Sequence, residues 1–79
     1  MEKTMNVELH SCDGLFGLYV NGSLQENDEE VTDEMNEVIE LATSVVKEEH
    51  GTYGNLFAHI NSNGSFPRRL SKLRSLIGK

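Results

Sequence analysis

The chain has 79 residues, a formal net charge of −6, one cysteine and no tryptophan. Such a length allows one small domain with a thin core and no deep substrate cleft. One cysteine rules out an internal disulfide, and no apolar run reaches the roughly 20 residues that span a bilayer. The charge is polarised: all thirteen acidic residues lie between Glu2 and Glu49, and five of the seven basic ones lie in residues 68–79.

Residues 5–10 alternate apolar and polar, with Met5, Val7 and Leu9 on one side, as a half-buried strand requires. Asp13-Gly14 suits a turn. Residues 15–20 form the clearest strand. Phe16, Leu18 and Val20 share one face and Leu15, Gly17 and Tyr19 the other, with Gly17 marking a bulge or a close neighbour. Asn21-Gly22, two residues that tolerate positive φ, predicts a tight hairpin, and residues 23–25 the returning strand. Residues 1–26 therefore read as a three-stranded antiparallel meander.

Residues 28–50 read as one acidic helix. Val31, Met35, Val38, Ile39, Ala42, Val45 and Val46 recur at helical spacing. Asp28 or Thr32 is placed to cap it, Asp33 and Glu34 fall in its first turn, and Gly51 stops it. Residues 56–60, Leu-Phe-Ala-His-Ile, read as a short buried strand between turns. Residues 66–78 read as a basic helix, with Pro67 in the first turn, a stripe of Phe66, Leu70, Leu73 and Ile77, and Lys79 at the favourable end of the dipole. The order β-β-β-α-β-α predicts a single α+β domain over residues 1–79. Its small antiparallel sheet, three meander strands plus one later strand, is packed by one amphipathic helix and followed by a short C-terminal basic helix.

The soft ligands are His10, Cys12, His50 and His59. His10-x-Cys12 is not a recurrent zinc spacing, there is no CxxC, and nothing in the sequence brings a thiol and an imidazole together. No glycine cluster precedes a helix as a phosphate loop does. Asn21-Gly22-Ser23 and Asn63-Gly64-Ser65 match the glycosylation acceptor pattern and read instead as turns. The expectation is a protein without catalytic residues, metal or cofactor.

Two charged surfaces carry the functional expectation. Glu30, Asp33, Glu34, Glu37, Glu40 and Glu48 fall on or beside the polar side of the acidic helix, offset within it only by Lys47. Most solvated faces mix signs, so this one reads as a docking surface for a larger basic protein, such as a nucleic-acid-processing enzyme, with Tyr19 and Tyr53 as apolar anchors. The plainer alternative is a solubilising helix face. Arg68, Arg69, Lys72 and Arg74 offer a second reading, contacts to nucleic-acid phosphates, against the alternative that the helix packs inward and its cations meet the acidic body. Pairing of acidic body with basic tail between two copies, or of two C-terminal helices through Leu70, Leu73 and Ile77, gives a third, a homodimer.

In size, charge and element order the chain resembles the small host-directed inhibitors of bacteriophages and mobile elements, including anti-CRISPR and DNA-mimic proteins. That resemblance covers no motif and carries over no residue role. It implies an inhibitor or regulator acting in a host cytoplasm. Met1–Thr4, without the apolar core of a secretory signal, and the lone cysteine agree with a cytoplasmic location.

Overall fold

The structure, a computed structural model, describes residues 4–78. Three strands open the chain: β1 (Asn6–Cys12), β2 (Leu15–Val20) and β3 (Ser23–Asp28). Each hairpin turns through two residues of positive φ, Asp13-Gly14 (53° and 81°) and Asn21-Gly22 (50° and 89°), which matches the right-handed twist of the flanking strands. Asn21 adds a side-chain contact, its Oδ1 accepting from the Asn6 N–H at 2.9 Å. A bulge between Leu18 and Tyr19 shifts the β2–β3 register.

Helix α1 spans Asp33–Leu41, less than half of the expected 28–50. Thr32 caps it by accepting from the Met35 N–H at 3.1 Å and donates its own hydrogen to Glu26 Oε2 at 2.8 Å, tying the helix start to β3. Asp28 instead closes its own turn, accepting from the Glu29 and Glu30 N–H groups. The expected second half is strand β4 (Ser44–His50), which pairs in parallel with all of β1. Thr43, Val45 and Val46 are β-branched and lose rotamer freedom in a helix, and β1 offers them an open edge. The sheet is therefore mixed, in the order β3-β2-β1-β4, and α1 carries the chain from one edge to the other.

The segment expected as a strand at 56–60 is inside helix α2 (Gly54–Asn63). Leu56 and Ile60, one turn apart, are its buried residues, and Gly64 ends it in the left-handed conformation with its N–H bonded to the Ile60 carbonyl. Helix α3 (Leu70–Ile77) starts later than expected. Residues 66–69 are extended and run along β3: the Leu24 N–H donates to the Arg68 carbonyl and the Leu70 N–H to the Gly22 carbonyl. Pro67, with no N–H to give, sits inside this strip rather than in the first turn of a helix. Lys79 lies outside the described residues.

Each sheet face has its own core. Val7, Leu9 and Leu18 pack with Met35 of α1. Cys12 and Tyr19 pack on the opposite face with Leu56 and Ile60 of α2, Phe66, and Leu73 of α3. The expectation of one packing helix is corrected accordingly: α2 and α3 together cover the face that α1 leaves. Among the described residues no helix is long and apolar enough to cross a membrane.

Candidate functional site

Parallel pairing of β1 with β4 sets His10 beside Glu48 and Cys12 beside His50. Both strands carry the pattern Glu-x-His, Glu8-Leu9-His10 and Glu48-Glu49-His50. Residues two apart on a strand point to the same side, so the pattern delivers four ionisable groups to the face under α2 and α3. Sequence reasoning took these histidines as unrelated. The repeated dipeptide spacing was the available signal, but it acquires meaning only once β4 is known to lie against β1.

His10 is 1% exposed, yet every polar atom of its ring has a partner. Its Nε2 lies 2.8 Å from Glu8 Oε1, and its Nδ1 lies 2.9 Å from His50 Nε2. A carboxylate can only accept, so Nε2 carries a hydrogen; in the tautomer with that one hydrogen, Nδ1 accepts from His50 Nε2–H. The imidazole centroids are 5.1 Å apart with an interplanar angle of 14°. With the facing nitrogens only 2.9 Å apart, that separation leaves little more than the two ring radii, so the rings meet edge to edge through the nitrogens. Tyr19 packs its ring edge-on against His10, with centroids 5.7 Å apart.

Around this pair stand Glu48, whose Oε1 is 3.5 Å from His10 Nδ1 and 3.9 Å from His50 Nε2, and Arg74 of α3, which forms an ion pair with Glu8 Oε2. Burial pushes the His50 imidazole down from its ordinary pKa and the neighbouring His10 adds to this, while the Glu48 carboxylate works the other way. A depression of about 230 Å³ opens onto His50 between β4, α2 and α3, lined also by Tyr53, Leu76 and Ile77. Cys12 is buried nearby, its thiol donating to the Gly51 carbonyl at 3.4 Å.

The residues expected to meet a partner fall in four places. Glu30, Asp33, Glu34, Glu37 and Glu40 are exposed on and just before α1, and none is within ion-pair distance of another described residue. Glu48 belongs to β4 rather than to the helix and points at the histidines. Tyr53 is 82% exposed and available. Tyr19 is 0% exposed, so its expected role as an anchor is corrected: its ring fills the α2–α3 core and its hydroxyl donates to the Pro67 carbonyl. The basic residues are also divided. Arg68 and Arg69 line a broad depression with residues 21–24 beside the first turn of α3, Lys72 is exposed, and Arg74 is turned to Glu8.

The two sheet edges differ. Beside β3, residues 68–70 make backbone bonds with Gly22 and Leu24 at its start, and the Phe66 N–H reaches the Asn27 side chain further along. Among the described residues β4 pairs only with β1, and its residues up to Glu49 are all exposed, including Val45 and Val46 on opposite faces of the sheet; Leu41, at the end of α1, is 74% exposed. Comparison with known protein families, with curated proteins and with solved structures finds no match.

Proposed function

We propose that this chain is a small, non-enzymatic binding module that docks on a larger basic protein, taking an extended basic segment of it along β4. The observation that carries the reading is the contrast between the edges: the start of β3 is bonded by residues 68–70, whereas no strand among the described residues pairs with the outer edge of β4, which follows an acidic helix in the chain. An exposed edge is a template for another strand, and natural chains guard such edges unless they use them. Leu41, Val45 and Val46 supply apolar contact. Glu37, Glu40 and Glu49 supply negative charge that selects a basic strand and speeds encounter. A nucleic-acid-processing enzyme of the host, whose surface is basic by trade, suits this chemistry.

The test compares captures from host lysate by the full chain, by Glu37→Lys/Glu40→Lys and by Val45→Lys/Val46→Lys. All the substituted positions are solvent-accessible, so folding is retained. The reading expects the same basic protein to be retained by the parent, lost from both variants and released by salt. Equal capture by all three sinks it.

A second reading follows from the same edge: two copies pairing through β4 would make one continuous sheet. Light scattering separates the two, because a dimer abolished by Val45→Lys/Val46→Lys but indifferent to Glu37→Lys/Glu40→Lys belongs to self-pairing.

A further inference from the structure

We infer that His10, His50 and Glu48 form a binding site for a divalent first-row transition cation of the zinc type. Their donor atoms, His10 Nδ1, His50 Nε2 and Glu48 Oε1, mark a triangle with sides of 2.9, 3.5 and 3.9 Å. The point equidistant from its corners lies about 2.0 Å from each, the length of a zinc–imidazole or zinc–carboxylate bond. Two imidazoles and one carboxylate suit zinc and its neighbours and do not suit magnesium or calcium, which ask for oxygen on nearly every side.

The surroundings match what such a ligand set requires. A metal-bound histidine usually donates its far N–H to a carboxylate, which fixes the tautomer and raises the basicity of the ligating nitrogen. His10 does this to Glu8, and Arg74 holds the other oxygen of Glu8 in turn. The two histidines come from paired neighbouring strands, so the donors stand close together before any cation arrives. Three protein donors leave at least one coordination position, and the depression beside His50 gives water or a small anion access to it.

The two histidine nitrogens meet head-on through one shared hydrogen. A cation takes the place of that hydrogen, which moves to His50 Nδ1, the other nitrogen of the neutral ring, so neutral rings bind without net proton release, and binding weakens at low pH only as protons compete for the two imidazoles. It also needs the facing nitrogens to turn off their common line. His50 makes that adjustment, being the less buried of the two rings and at the end of its strand. Cys12 is not a member: it stands outside the cluster and its thiol is spent on the Gly51 carbonyl. His59, on α2, faces elsewhere and serves as a control, bonded to Asn63.

The experiment uses the full chain, stripped with chelator and titrated with zinc chloride by calorimetry and with cobalt(II) chloride by absorbance, with magnesium chloride alongside. One equivalent of zinc is expected to bind, and magnesium is expected to give no heat. His50→Ala, at the end of an edge strand, and Glu48→Ala, at a half-exposed position, should stay folded by circular dichroism. The first should lose zinc affinity by more than about 100-fold, and Glu8→Gln by about 10-fold through the loss of second-layer support. His59→Ala should bind as the parent does. The inference is overturned by the absence of zinc binding at sub-millimolar concentration, by unchanged affinity in His50→Ala, by loss of binding in His59→Ala, or by a thiolate-to-cobalt absorption band, which would put Cys12 in the site. None of these results bears on docking at the β4 edge, which is read from captures and not from metal.

Discussion

The ring of Phe66 occupies the space where Gly17 would carry a side chain: a Cβ built on Gly17 would sit 2.8 Å from two ring carbons. Phe66 belongs to the extended strip along β3, and its N–H donates to Asn27 Oδ1 at 3.1 Å, so the ring cannot easily withdraw. Gly17→Ala should therefore destabilise the protein by about 1–3 kcal/mol, as overpacking does in a filled core. Equilibrium urea unfolding measures it. Relief of the loss in a Gly17→Ala/Phe66→Leu double variant would trace the effect to this contact.

The start of α1 rests on one threonine. Thr32 accepts from the Met35 N–H and donates to Glu26, so Thr32→Ala removes a helix cap and a link to β3 together. A loss of about 0.5–2 kcal/mol is expected, with Thr32→Ser recovering most of it. Thermal melts of the three proteins provide the check.

Alkaline conditions should weaken the fold. Burial holds the Tyr19 phenol well above its ordinary pKa, and burial followed by the Asp13 carboxylate raises the Cys12 thiol. The unfolded chain gives up these protons from about pH 9 upward while the folded chain keeps them. The folded state then binds more protons, so stability is full below that pH and falls as pH rises through and beyond it. The urea midpoint should drop between about pH 8 and pH 10.5, and less steeply in Tyr19→Phe. Cys12 should also resist thiol reagents until the protein unfolds.

The meander was legible because its determinants are local. Alternation in residues 5–10 and 15–20 and two turn pairs suited to positive φ are readable within a few residues of each strand. The same holds for the start of α1 at Thr32. The misread segments are those whose state is set by distant partners. Val45 and Val46 continue a helical stripe as neatly as they sit in a strand, and the open edge of β1 decided between them. Leu56 and Ile60 have a helix's i,i+4 spacing that a short apolar run conceals. The histidine cluster joins residues forty positions apart, so it could not be seen before the parallel pairing was known. Exposure of the acidic residues on α1 agrees with the expected anionic face, whereas Tyr19 shows how a strand residue taken for a surface anchor becomes core once a second helical layer is present.

The open edge should also mark the most labile part of the sheet. Among the described residues strand β4 has one paired neighbour and little buried side-chain area, so its amides should exchange faster than those of β1 and β2 in the free protein. Hydrogen exchange read by mass spectrometry, repeated on the complex with the protein captured from lysate, tests the docking account most directly. Residues 44–50, together with α1, are predicted to gain protection in the complex. Protection confined to α3 and residues 66–70, with β4 exchanging as before, would contradict it.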